Sequence, residues 1–449
     1  MDSAEATGPR RGAIPALRVR TVALADPGPL LELLPRTAPL SWVREGQGLV
    51  GWGEAVRCDV TGPGRFAAAA AWWAALSAAA ATDDAVGQPG TGLVAFGAFE
   101  FDDRVRPLPP ASGSPGSGTA RASTLIVPAV AIGRRGGTWW LTTAGPADAD
   151  GPRAGLLDLS DTACDDPVQA PVGLTWADGA VAAADWPGVV ARAVAAIAGG
   201  ALDKAVLARD RIGQAEAPLD PRYALRRLGA AYPTCWTFCV DGLLGATPEL
   251  LVRLERGRVE SRVLAGTIRR PSPETPAGPL GEALRGSAKD RREHEFSVRS
   301  LVEALAPHCA DLTAPEAPFV LALPNVLHLA SDVSGTALAG ATALDLAAAV
   351  HPTAAVCGVP ADRAAALIEQ LEGMDRGRYA GPVGWLSADG DGEWGVALRC
   401  GQLDRDDPAR IRILAGGGIV AQSDPQAELA ETEAKLAPML GALAADDPR

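Results

Sequence analysis

With 449 residues, 47% of them apolar and 21% charged, the chain has a globular composition. That excludes a disordered polymer and leaves either two domains or one unusually large two-sheet domain. A formal net charge of −13 excludes nucleic acid and anionic lipid as partners, so an anionic ligand must be met by a local cluster of arginine, lysine or metal.

Residues 1–15 are polar and Gly/Pro-containing and are expected to be a disordered tail, as is the end after Ala444. From Leu17 to Thr143 short strand-like runs (48–53, 92–101 and 125–132) surround an Ala-rich helical run near Phe66 to Ala81. The Ser/Gly/Pro stretch from Pro109 to Thr119 reads as a loop inserted within that β-rich part, because strand patterning resumes directly after it. From Trp186 the pattern is mixed. A helix over 186–198, a strand over 204–212 and a helix over 220–231 precede three strand-like runs between Cys235 and Ile268, and helices follow over Lys289–His308 and Ala427–Leu443. Strands and helices come in clusters rather than in strict alternation, which points to an α+β fold with antiparallel sheets. The divisions expected are 16–180, an amino-terminal β-rich part, and 181–443, the catalytic part. The seven cysteines (58, 164, 235, 239, 309, 357 and 400) are scattered in mostly apolar surroundings and read as reduced core thiols. No run of 18 apolar residues and no signal-like segment appears, so neither a membrane partner nor export is expected, and the expected location is the cytoplasm.

Two acidic pairs carry the first hint of chemistry: Asp290 with Glu293, and Glu428 with Glu431. Each pair is spaced i,i+3 in a predicted helix and shares one face. Alone, either pair is equally a solvated helix face. Their company changes the reading. Lys204-Ala-Val-Leu-Ala-Arg, Ala246-Thr-Pro-Glu-Leu-Leu, Leu264-Ala-Gly-Thr-Ile-Arg, Lys289-Asp-Arg-Arg-Glu-His-Glu, His351-Pro-Thr, Gly377-Arg-Tyr-Ala-Gly-Pro-Val-Gly and Leu414-Ala-Gly-Gly-Gly-Ile-Val through Lys435 follow one another in order. In these segments the chain resembles the chorismate-utilising enzymes, over about residues 186 to 443. The resemblance implies a single large α+β chorismate-binding fold, two packed antiparallel sheets with helices on the outer faces, usually monomeric.

It also implies roles. Chorismate is a dicarboxylate, and four acidic side chains would repel it unless a cation intervened. By resemblance that cation is Mg²⁺, bound through Glu293 and Glu431, with Asp290 and Glu428 one turn earlier in an outer shell. Arg399 matches the position that grips the enolpyruvyl carboxylate, where a planar bidentate donor is needed. Tyr379 and the amides of Gly416 and Gly418 would complete that pocket, with the Gly266-Thr267 turn, His328 and Lys435 around the substrate. His294 is expected to support the metal helix and His351 to order a turn. Lys204 and Glu249 match the base and the acid. A lysine that activates water must be partly neutral, and a carboxyl that assists departure of a hydroxyl must be protonated, conditions that burial favours.

Within the family, Lys204 stands where anthranilate synthases keep no lysine, and Ala265 stands where aminodeoxychorismate synthases place a nucleophilic lysine. Ala355 and Val356 occupy positions where salicylate synthases tend to carry a hydroxyl. These residues together imply an isochorismate-forming isomerase, with the long amino-terminal half favouring the menaquinone type over the siderophore type. A chorismate-binding sensor without turnover is the non-enzyme alternative, and retention of Lys204 and Glu249 speaks against it.

Overall fold

The computed structural model describes residues 14–104, 122–147, 166–272 and 274–445. The segment from Pro109 to Thr119 and most of both termini lie outside the described residues, as does Cys164. The other six cysteines are buried free thiols.

Local sequence accounts for most element limits in the second half. Asp220 and Asp424 each cap a helix whose first residue is proline, Pro221–Ala231 and Pro425–Leu443, satisfying backbone N–H groups that the first turn leaves free. Ser287 caps Ala288–Leu305 through the amide of Asp290. Between Cys235 and Ile268 the chain makes four strands rather than three: Trp236–Val240, Leu243–Thr247, Leu250–Glu255 and Arg258–Arg269. The extra division comes from Asp241-Gly242, both at positive φ, which closes a two-residue hairpin.

Among the described residues the strands form a thirteen-stranded and a ten-stranded sheet. Pairing is antiparallel apart from Leu17–Ala23 against Ala81–Asp84, which run parallel. Both sheets interleave distant parts of the chain. Leu40–Arg44 lies beside Trp236–Val240 in the first, and Val94–Ala98 beside Pro382–Ser387 in the second. The boundary near residue 180 is thus a division along the chain, and both sheets draw strands from either side of it. Trp42 and Phe238 of the first sheet and Phe96 and Trp394 of the second belong to one buried apolar cluster. The first sheet packs its other side on helices Pro221–Ala231 and Pro425–Leu443, through Leu225, Leu228, Leu436 and Met439. Helices Arg65–Ala79, Ala288–Leu305 and Ala343–Val350 lie against strands of the second sheet.

Candidate active site

Strand Lys204–Gln214 pairs with Arg410–Ile419 in a register that sets Val206 opposite Gly418 and Ala208 opposite Gly416. Lys204, at its start, is completely buried. Its Nζ lies 3.3 Å from Glu293 Oε1 and donates to Ser297 Oγ at 3.3 Å. Glu293 and Ser297 are one turn apart on Ala288–Leu305, so that helix presents both to the lysine. On Pro425–Leu443 the same spacing holds Glu428, Glu431 and Lys435 together. Lys435 pairs with Glu431 at 2.7 Å and donates to the Gly416 carbonyl at 2.9 Å, while Glu428 accepts from Lys289 at 2.9 Å.

The two acidic helices therefore meet over one strand end. A β-carbon on Gly417 would fall 3.0 Å from Glu428 Oε2 and 3.5 Å from Glu431 Oε1, and one on Gly418 would fall 2.2 Å from Glu293 Oε1. Glycine leaves open the space these carboxylates face. Burial, then the charge of Glu431, pushes the Glu428 carboxyl upward, and its Oε2 is buried without a hydrogen-bond partner. Carboxylate oxygens with spare lone pairs are the donor type that a hard divalent cation such as Mg²⁺ takes, and Glu293, Glu428 and Glu431 could supply them. Each acid is drawn to its own lysine, and among the described residues no three acidic, cysteine or histidine side chains close into a ready-made cage. Asp290 turns elsewhere: its Oδ1 accepts from the Thr267 amide at 3.3 Å. The Gly266-Thr267 segment is a bulge within strand Arg258–Arg269 rather than a turn. The register slips between Ala265 and Thr267, and Gly266 takes φ +80°, where a β-carbon would meet Asp290 at 3.0 Å.

Beside this cluster opens a cleft with about 700 Å³ of atom-free space, its open mouth included. Glu249, Thr267, His328, Tyr379 and Arg399 line it, together with Gly416, Gly418 and Lys435. Ala265, Ala355 and Val356 supply apolar wall. Lys204 stands behind that wall, its Cε 3.0 Å from where a Gly418 side chain would be. Burial raises the Glu249 carboxyl to about 8, against the pull of Lys204, Lys435 and Arg399, so it is protonated at neutral pH. Arg399 donates from Nη2 to His328 Nε2 at 2.6 Å. Because a guanidinium only donates, the histidine proton sits on Nδ1, which faces Thr267 Oγ1 at 3.1 Å. Burial, reinforced by the Arg399 charge, holds that imidazole neutral. The other guanidinium nitrogen of Arg399, Nη1, is buried with no hydrogen-bond partner. His294 bonds the Ala265 carbonyl and Ser331, fastening the acidic helix to the second sheet, and His351 bonds the Phe101 carbonyl.

Sequence reasoning assigned no role to Ser297, Lys289 or the Glu372–Arg376 pair. Arg376 lines the cleft and donates to the Val206 and Val356 carbonyls, while Glu372 accepts from the Ala208 amide. The pair thereby completes the open edge of the lysine strand between its neighbours. Its signal was the i,i+4 spacing of opposite charges just before Gly377.

A family model described as chorismate binding enzyme matches residues 39–444. The chain is 45% identical over 265 residues to the putative isochorismate synthase MenF of Mycobacterium tuberculosis (strain H37Rv), covering 56% of this chain and 71% of that protein. It is 40% identical over 257 residues to isochorismate synthase EntC of Escherichia coli (strain K12), covering 56% and 65%. Among solved structures it is similar to MenF, the menaquinone-specific isochorismate synthase of Escherichia coli, with a TM-score of 0.74 at 25% identity, covering 97% of this chain and 96% of that one. The putative 2,3-dihydroxybenzoate-specific isochorismate synthase DhbC of Bacillus anthracis gives 0.71 at 28% identity, covering 92% and 98%.

Proposed function

Because this chain belongs to the family of chorismate-binding enzymes, we propose that it is an isochorismate synthase, an isomerase that moves the hydroxyl of chorismate from C4 to C2 with Mg²⁺ as cofactor. One observation carries the reading: Glu249, whose carboxyl burial raises to about 8, lines the cleft, and Lys204, buried behind the cleft wall, is the strongest cationic influence on it. In the reaction, Lys204, entering as the neutral amine once its proton and its pairing with Glu293 are given up, takes a proton from water as the water oxygen bonds to C2. The ring double bonds shift, and Glu249 gives its proton to the hydroxyl departing from C4, which leaves as water. One water enters and one leaves, so substrate and product are isomers. The unpaired Nη1 of Arg399 supports the reading that this side chain receives a substrate carboxylate, and the bond from its Nη2 to His328 supports a fixed guanidinium plane. Glu293, Glu428 and Glu431 would hold the metal, with Asp290 behind them against Thr267. When bound there, Mg²⁺ would offset the repulsion between these acids and the ring carboxylate.

Ala265 leaves no amine for covalent addition to the ring, and the apolar Ala355 and Val356 supply no hydroxyl beside it, which favours stopping at isochorismate. We favour a place in menaquinone synthesis on the 45% identity to the Mycobacterium protein named MenF; the identity of 28% to the 2,3-dihydroxybenzoate-specific DhbC against 25% to the menaquinone-specific MenF makes the siderophore pathway the second reading. Incubation of the purified chain with chorismate and MgCl₂, followed by chromatography, tests the activity. Isochorismate is the expected product. Salicylate with pyruvate, anthranilate when ammonium is added, or tight binding without turnover would each replace this reading. Rescue of bacteria lacking only their menaquinone-specific or only their siderophore-specific isochorismate synthase then decides the pathway.

A further inference from the structure

The carboxylates around Gly417 and Gly418 are matched one to one by lysines: Glu293 by Lys204, Glu431 by Lys435 and Glu428 by Lys289. A divalent cation arriving here meets acids that are already neutralised, and can gain each one only by displacing an ammonium. Two of the three lysines are tied down a second time, Lys204 by Ser297 within the core and Lys435 by the Gly416 carbonyl. Among the described residues Lys289 is held by Glu428 alone, and its side chain is 30% exposed.

It also has somewhere to go. Lys289 lines an outer cavity of about 870 Å³ of atom-free space, open mouth included, together with Asp203, Arg292, Phe296 and Arg363. Asp203 pairs with no cation among the described residues, so a displaced ammonium would find a free carboxylate on the same wall. Glu428 has the most to gain from the exchange, since it is 2% exposed and one of its oxygens is left without a partner over Gly417.

We propose that Lys289 is a displaceable counter-ion: it neutralises Glu428 in the metal-free protein and swings into the outer cavity when a divalent cation takes that carboxylate together with Glu293 and Glu431. The inference rests on the metal reading above and adds a competitor to it. Lys289 fastens Glu428 and weakens the grip of that carboxylate on the ion. Once displaced, its ammonium joins Arg292 and Arg363, neither of them paired with a carboxylate among the described residues, in a positive rim on an otherwise acidic molecule. Such a rim would draw in an anionic substrate only after the metal is in place.

Calorimetric titration of the full chain with MgCl₂, alone and with saturating chorismate, tests this. Lys289→Met should bind Mg²⁺ about fivefold more tightly than the unsubstituted protein, the scale of one part-buried ion pair. Its metal-free form should melt at a lower temperature, and the gap should close at saturating Mg²⁺. Arg292→Gln, which removes a charge from the same cavity without touching an acid, should change Mg²⁺ affinity less. Equal or weaker binding by Lys289→Met overturns the proposal, as does an equally large gain in Arg292→Gln. If the unsubstituted protein binds no Mg²⁺ with or without chorismate, the metal reading itself falls, and this inference with it.

Discussion

Glu393 and the acids of the cleft are all buried carboxylates, yet their surroundings are completed in different ways. Around Glu393, Oε2 accepts from the indole N–H groups of Trp42 and Trp236 at 2.8 and 3.1 Å, and Oε1 from Arg253 at 2.8 Å and Arg135 at 3.4 Å. Burial would raise this carboxyl, but Arg253 and the Trp42 bond outweigh it and hold the group below its ordinary range. Glu372 is likewise saturated, by Arg376 and the Ala208 amide. In the site the corresponding atoms are left over: Arg399 Nη1 in the cleft and Glu428 Oε2 in the acidic cluster beside it have no partner, and burial raises the Glu249 carboxyl to about 8. Buried polar groups that lack partners cost stability, and others lie within the core, as at Ser41 Oγ and Trp186 Nε1; what sets Arg399 apart is that it lines a cleft open to a ligand. The fully bonded carboxylates mark where the two sheets are held together.

Substitutions separate these two kinds of buried charge. The largest effect is expected in the cleft: Glu249→Gln should lower kcat by about 10³-fold or more, the scale of a general acid, with a change of no more than a few-fold in KM. The same residue sets a pH limb. Its carboxyl titrates at about 8 in the folded chain, so activity that needs the protonated form is full below that pH and falls as pH rises through it. Stability follows the same sign, because the folded state binds the proton more tightly than the unfolded state: the contribution is present below the ordinary glutamate pKa and lost as pH climbs through about 8. A rate profile flat to pH 10 would remove Glu249 from its role.

Next in size, and opposite in kind, Glu372→Ala should cost roughly 3–5 kcal/mol in denaturant unfolding, because it strands the buried charge of Arg376. Unaltered stability would mean that the pair is not the fastening described here. The smallest effect belongs to Arg399→Lys, which keeps the charge and loses the planar fork. A loss of about 2 kcal/mol, roughly 30-fold in kcat/KM, is expected with unfolding unchanged. A fall in stability instead would move Arg399 to the structural class.

How far the sequence disclosed this follows the reach of the interactions. Helices Pro221–Ala231 and Pro425–Leu443 were legible to within a residue or two at their ends because Asp-Pro caps are local. Ala343–Val350 and Ala361–Glu372 went unread, although Thr342 and Asp345 form a capping box that could have signalled the first. Sheet order was beyond local reading, since Val94–Ala98 pairs with a strand almost three hundred residues away and period-two patterning carries no address. In the site, motif order gathered Lys204, Glu249, Glu293, Glu431 and Arg399 into one neighbourhood. It did not reveal that Asp290 would serve the Thr267 amide, or that Lys289 would take Glu428, because both depend on side-chain choices across the interface between helix and strand.

The interleaving of the two sheets has a consequence for how the molecule is made. Val94–Ala98 leaves the ribosome roughly 290 residues ahead of the Pro382–Ser387 strand that will cover it. At ~5–20 residues per second that is a wait of about 15 seconds to a minute with an apolar edge unpaired. The strand's other edge is taken early by Ser123–Val127, so the edge that awaits Pro382–Ser387 is where a growing chain is most open to pairing with a neighbour.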